Sequence, residues 1–192
     1  MSEETYGRIV DTAYKLIAEH GLDHTSMSMI AREVGISKPA IYYYFTSKDV
    51  LIDVLFEELC KEMGFAKSFA VSDYTEHNFR DKLLEDGFHM IKEHQENPHF
   101  SRVVNEFLTL CLRNDTYRER IQAITKGFVT GFQDLLQQGV ELGVVSGERI
   151  AAKAQLLTVV IDNIGNFMVM GYDFESDYEQ IWAEAVHNAL NR

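Results

Sequence analysis

The stretch Val34-Gly35-Ile36-Ser37-Lys38-Pro39-Ala40-Ile41-Tyr42-Tyr43-Tyr44-Phe45 sets a glycine, a serine and a proline just ahead of a run of apolar and aromatic residues. Gly35 suits the left-handed conformation that ends a helix. Ser37 can cap a new one, with Pro39 tolerated in its first turn, where the missing N–H does no harm. The three-residue link Gly35-Ile36-Ser37 therefore predicts two helices that cross sharply. Ala31, four residues before Gly35, is small enough to let the second helix approach, and Ile30, Val34 and Ile41 supply apolar anchors. This is a helix-turn-helix pattern, whose second helix can be offered to the major groove of DNA. Short αα-corners also occur in helical proteins that bind no DNA.

Four consecutive aromatic residues cannot all face a core from one short helix. With Ile41 at 0° and about 100° per residue, Phe45 falls near 40° and Tyr44 near −60°, while Tyr42 falls near 100°, Pro39 near 160° and Tyr43 near 200°. Ile41 and Phe45 are thus expected inside. Tyr42, Tyr43, Pro39 and Ala40 are expected outside, with Tyr44 between and Lys38 at the helix start. Exposed phenols can hydrogen-bond phosphates or lie against sugars and thymine methyls, and Lys38 can reach guanine acceptors. Thr25, Ser26 and Lys48 are the expected phosphate contacts, the first two aided by N–H groups at a helix N-terminus. Otherwise these tyrosines pad a corner between domains.

Helical periods extend outward from this stretch. Ile9, Ala13, Leu16 and Ile17 predict a helix from about Thr5 to His20, closed by Gly21; Thr25 or Ser26 caps the next, carrying Met29, Ile30 and Val34. Ser47 opens a helix with Val50, Leu51, Val54, Leu55 and Leu59. After an irregular passage from Gly64 to Thr75, further periods begin at Phe79, at Phe100 after the break at Pro98, and at Tyr117. The row Ile150, Ala154, Leu157, Ile161, Ile164 and Met168 is joined by a second apolar row, Leu156, Val160, Phe167 and Met170. A helix apolar on two faces needs two partners. One is the core; the other is a second copy of the chain, met also by Ile181, Trp182 and Ala185 of the last helix, or else the helix is buried centrally in a monomer. No stretch reads as a strand. The expected class is all-α, with about nine helices: a helix-turn-helix DNA-binding domain over residues 1–48 and a helical dimerisation domain over 49–192, linked by the helix from about 48 to 63.

Composition narrows the functions available. The formal charge is −12, which argues against nucleic acid, but residues 1–48 hold five Lys/Arg against six Asp/Glu and the remainder 13 against 24. A local DNA-facing patch is therefore permitted. The acidic N-terminus lacks the pattern of a signal peptide, and Asp162, Asn163 and Asn166 interrupt the most apolar stretch, so no membrane segment and a cytoplasmic location are expected. Cys60 and Cys111 lack metal or redox spacing and read as core residues. His89, Glu93, His94 and His99 cluster in sequence without a complete ligand pattern, so no metal and no cofactor are expected. Without a Gly-rich phosphate loop, GxSxG or HExxH, nothing points to an enzyme.

From Ile9 to Leu55 the chain resembles the DNA-binding domain of the TetR family of transcriptional regulators. The match rests on Ala13, Leu16, Gly21, Thr25-Ser26-Met27, Ile30-Ala31, Gly35-Ile36-Ser37, Ile41-Tyr42, Tyr44-Phe45, Lys48 and Leu51, and spans about a quarter of the sequence. The resemblance implies that Lys38, Pro39, Ala40, Tyr42, Tyr43 and Lys48 carry DNA recognition, with Ser37 and Tyr44 in the same element. It implies two closing helices that form a dimeric four-helix bundle, and a small-molecule effector held among the C-terminal helices. The side chains expected to line that pocket are Phe65, Phe88, Phe107, Phe128, Phe132, Phe167, Met168 and Tyr172, which suit an apolar or aromatic effector. The expected function is a homodimeric repressor of a pseudopalindromic operator. The alternative is a helical protein-interaction module that keeps the fold without binding DNA.

Overall fold

The computed structural model describes residues 2–172, 174 and 177–191. Among them there is no strand. Ten α-helices of the described residues run in order: α1 (Glu3–His20), α2 (Met27–Val34), α3 (Lys38–Tyr44), α4 (Lys48–Glu62), α5 (Phe65–Ser68), α6 (Phe79–Glu96), α7 (Pro98–Cys111), α8 (Asp115–Glu141), α9 (Ile150–Val169) and α10 (Tyr178–Leu190), with a 3-10 turn at Val71–Asp73. The helix beyond the nine expected is α5, whose four residues are too few to show a period. The capping residues read from the sequence do cap: Ser26 Oγ accepts the Met29 N–H, Ser37 Oγ that of Ala40, and Ser47 Oγ that of Val50. These bonds satisfy N–H groups that have no partner within their own helix.

Backbone proximity divides the chain into two units, Met1–Glu62 with His99–Arg118, and Met63–Pro98 with Glu119–Arg192. The first unit is built on Ile9, Ala13, Met27, Ile30, Ala31, Val34, Ile41, Phe45 and Leu51, all buried together. The anchors predicted for the helix-turn-helix are among them. A second aromatic group joins α4, α7 and the first turn of α8: the ring of Phe56 lies 4.8 Å from that of Phe107 and 4.7 Å from that of Tyr117. The Tyr117 hydroxyl donates to Asp53 at 2.5 Å, and burial together with that carboxylate raises its pKa.

The second unit closes around Trp182, the only tryptophan in the chain and fully buried. Its indole N–H donates to the Leu83 carbonyl of α6 at 3.1 Å. That contact exists because Gly87, one turn along α6, has no side chain: a Cβ there would sit 2.0 Å from the indole nitrogen. Phe69, Phe79, Leu83, Ile91, Phe132, Leu135, Leu157 and Ile161 fill the core around it. Tyr74, 2% exposed, donates its hydroxyl to Asp86 at 2.6 Å, and Lys82 bonds the other oxygen of that carboxylate at 3.1 Å. Burial, then the bond to Asp86, raises the Tyr74 pKa and keeps the phenol protonated. The buried phenol therefore has a partner, as buried polar groups require.

Trp182 and Ala185 were expected at a surface shared with a second chain, and the structure corrects this. Trp182 is 0% and Ala185 5% exposed within one chain, so α10 turns these side chains into its own core. Their period was read correctly and their partner was not.

Gly87→Ala tests this packing. Alanine in place of glycine favours a helix by about 1 kcal/mol, but overpacking costs about 1–3 kcal/mol and displacing the indole loses a hydrogen bond worth about 1 kcal/mol. The expected net loss is about 2 kcal/mol in urea unfolding followed by Trp182 emission. An unchanged or raised midpoint would show that the indole does not depend on this notch.

Candidate nucleic-acid interface

The geometry of the first unit turns on residues 31–37. Gly35 sits at φ 79°, ψ 30°, the left-handed region, and closes α2 by donating to Arg32 O while the Ile36 N–H donates to Ala31 O at 2.9 Å. A residue with a Cβ would be strained there. Arg8 of α1 donates from Nη2 to the Val34 carbonyl at 2.7 Å, bracing the last turn of α2 from outside. After Ser37 the chain enters α3, seven residues long. Isolated helices shorter than about 12–15 residues are marginal in water. Stability must therefore come from packing, and Ile41 (0% exposed) and Phe45 (1%) provide it. Burial of each contributes roughly 1.5–3 kcal/mol. The Phe45 ring also stacks on Tyr6 of α1, centroids 5.0 Å apart.

With those two residues inside, the remaining side chains of α3 sort as helical geometry requires. Tyr43 is 71% exposed and Tyr42 41%. Lys38 and Pro39 are exposed and Ala40 half-buried. Tyr44 is half-buried against the unit's core, and its ring meets that of Tyr43 edge-on at 5.8 Å. The outward surface of α3 therefore holds a lysine at its N-terminal end and two phenols, each able to donate to a phosphate or lie along a sugar.

Four of the predicted contact residues have tasks within the chain itself. Thr25 is 1% exposed and its hydroxyl donates to the Gly21 carbonyl at 2.9 Å. It is part of the α1–α2 turn and has no free surface; Ser26, exposed and capping α2, takes the role left open between the two hydroxyls. Ser37 is exposed, but its oxygen is engaged in capping α3. Lys48 Nζ donates to the Leu22 carbonyl at 2.5 Å. An ammonium has three donors, so this bond braces the α1–α2 turn without exhausting the lysine. Glu106 of α7, missed in the sequence, reaches the same turn: its Oε2 accepts the Leu22 N–H at 2.9 Å.

The side chains expected to line an effector pocket fall into three places. Phe65, Phe128 and Phe132 come together in the second unit, with Phe65 4.9 Å from Phe132 and 5.7 Å from Phe128. Phe69, 4.9 Å from Phe132, belongs with them and was overlooked because the chain between α5 and the 3-10 turn has no period. Phe88 and Met168 are half-buried against the same core. Phe167 and Tyr172 form a different group near the end of α9, joined by Phe174 at 5.1 Å and 4.7 Å. Phe107, expected with them, packs instead against Phe56 and Tyr117 in the first unit. On α9 the second apolar row is open as expected: Leu156 is 44%, Phe167 36% and Met170 73% exposed, with Val160 half-buried. Val159, 58% exposed, adds to it, and Ile181 of α10 is half-buried. His89 pairs with Glu93 at 3.4 Å, whereas His94 lies over Gly165 of α9, where burial lowers its pKa. No helix among the described residues is long and apolar enough to cross a membrane.

Comparison with known proteins agrees with this geometry. Residues 9–55, which contain α2, the Gly35 turn and α3, match the model of the bacterial regulatory proteins of the tetR family. Over 95% of the chain and 96% of its counterpart, the sequence is 26% identical to the fatty acid metabolism regulator protein of Bacillus subtilis. The fold is similar to that of a TetR transcription regulator from Haloarcula marismortui, with TM-score 0.81, 21% identity, and 99% and 100% of the two chains covered. It is also similar to SmeT in its complex with triclosan, with TM-score 0.67, 18% identity, and 98% and 93% covered. Residues 9–55 thus match the DNA-binding helix-turn-helix domain of the TetR family of bacterial regulatory proteins, and the chain as a whole is similar in fold to a TetR transcription regulator.

Proposed function

We propose that the chain is a repressor that binds a pseudopalindromic operator as a homodimer and is released by a small apolar or aromatic effector. The observation that carries the reading is the outward face of α3, where Lys38, Tyr42 and Tyr43 stand free of the core on a helix held by Gly35, Ser37, Ile41 and Phe45. Lys38 reads base edges, while Tyr42, Ser26 and the remaining donors of Lys48 anchor phosphates. Pro39 and Ala40 allow close approach, and Tyr43 lies along the groove wall. Tyr44 supports Tyr43 from the core side.

Two copies place two α3 helices on one side of a duplex, which calls for half-sites about 34 Å or a small multiple of a helical turn apart. The apolar row Leu156, Val159, Phe167 and Met170 is the surface through which the copies join, since apolar side chains in a row are costly to leave in water. The effector is assigned to the aromatic group Phe65, Phe69, Phe128 and Phe132. Support comes from its composition and from two relatives, one named for regulating fatty acid metabolism and the other in complex with triclosan. Both names fit an apolar ligand.

Selection from random duplexes should yield a pseudopalindrome bound by a dimer, with affinity falling steeply as salt rises because several phosphates are contacted. Tyr42→Phe should weaken binding to all sequences by about fivefold, whereas Lys38→Ala should flatten base preference at one position by about 1–3 kcal/mol. The same uniform loss from both would refute the division of roles, and no selected duplex at all would favour the interaction-module alternative, with which the −12 net charge is consistent. Sedimentation of Val159→Asp should show monomers with weak operator affinity; an unchanged dimer would put the interface elsewhere. Trp182 lies 6.2 Å from Phe69 and 6.1 Å from Phe132, so an effector entering that group should change its emission. Titration with a long-chain fatty acid or triclosan should give a saturable change that Phe132→Ala removes, and a response surviving that substitution would place the effector outside the group.

A further inference from the structure

We infer that Glu106 is a positioning residue for DNA binding: from α7, outside residues 9–55, its carboxylate holds the α1–α2 turn that sets the start of α2. The inference rests on the regulator reading above. Leu22 is engaged at both ends of its backbone by side chains of opposite charge. Its N–H donates to Glu106 Oε2 at 2.9 Å and its carbonyl accepts from Lys48 Nζ at 2.5 Å. The other Glu106 oxygen lies 3.4 Å from where a Cβ on Gly21 would stand, and the Gly21 carbonyl accepts from Thr25 at 2.9 Å. Three side chains, one from α7, one from α4 and one from the turn itself, thus fix two consecutive residues of a turn that has no regular structure of its own.

The position of this turn matters because α2 begins directly after it. Ser26, the α2 cap and a proposed phosphate contact, comes four residues after Leu22, and α2 passes to α3 through the Gly35 turn. The Leu22 side chain is 7% exposed, so the residue cannot move outward to hydrate its N–H without losing apolar burial. A buried N–H that loses a charged acceptor is costly. The turn would instead shift, and Ser26 with it, while the outward side chains of α3 keep their arrangement on the helix. The Glu106 carboxylate, an anion, is not itself suited to meet phosphate. Its effect on DNA is therefore indirect and independent of base sequence.

The test uses the full chain and the duplex that the wild-type protein selects. Glu106→Leu, which cannot accept a hydrogen bond, should bind about tenfold more weakly to every duplex, with unchanged base preference. Hydrogen exchange should accelerate at Leu22 and across residues 21–26. Glu106→Gln keeps an acceptor oxygen and should restore most of the affinity. If Glu106→Leu does not fold, Glu106→Asp, whose oxygens fall one methylene short, should show the same two changes in smaller degree. Faster exchange at Leu22 with full DNA affinity would overturn the positioning role, and so would unchanged exchange in a variant that binds weakly. A wild-type chain that selects no duplex would overturn the regulator reading before any variant is made, and this inference with it.

Discussion

The left-handed backbone at Gly35 is the constraint on which the helix-turn-helix depends. At φ 79° it ends α2 and redirects the chain within three residues, so that Ser37 can cap α3 and Ile41 can meet Ile30, Ala31 and Val34 in one core. Every outward residue of α3 owes its direction to that turn, since a helix of seven residues has little stability of its own. Arg8 and Tyr6 of α1 reinforce the arrangement from the side, one through the Val34 carbonyl and the other through the Phe45 ring.

The second unit solves a different problem. Its helices other than α5 are long, and their mutual placement is set by shape at a few close approaches. Gly87 opens a notch on α6 that admits the Trp182 ring and lets its N–H find a backbone carbonyl, while Tyr74, Lys82 and Asp86 tie the segment before α6 to α6 itself. Buried polar groups of this kind specify a packing as well as stabilise it, because a rearranged core would leave them without partners.

How much of this could be read in the sequence depended on the range of the interaction. Caps, the glycine turn and the inside or outside placement of Ile41, Tyr42, Tyr43 and Phe45 are decided by neighbours within a few residues, and all of them are legible. Tyr44 is intermediate in both angle and burial for the same reason. Trp182 shows the limit: a period identifies an apolar face but cannot say whether the core of its own chain or another copy covers it. Phe107 was grouped with the other phenylalanines by composition, which carries no information about place. Glu106 and Leu22 lie far apart in the chain, and a carboxylate on the partly polar side of a helix gives no local sign that it will bond a distant backbone N–H. Thr25 and Ser26 are likewise alike in sequence, since either hydroxyl can cap, and only the tertiary fold buries one of them.

The division of α3 into two anchoring residues and a free outer face has an evolutionary consequence. Lys38, Tyr42 and Tyr43 contribute little to the core. Exchanging them therefore leaves folding stability almost untouched, within the range usual for surface substitutions, about 0.5 kcal/mol. Ile41, Phe45 and Gly35 have no such freedom. On the DNA-reading role proposed for α3, a duplicated gene could drift toward a new DNA site by changing only those outward positions, each intermediate remaining folded, so that the capacity to change partner is separated in the sequence from the capacity to fold.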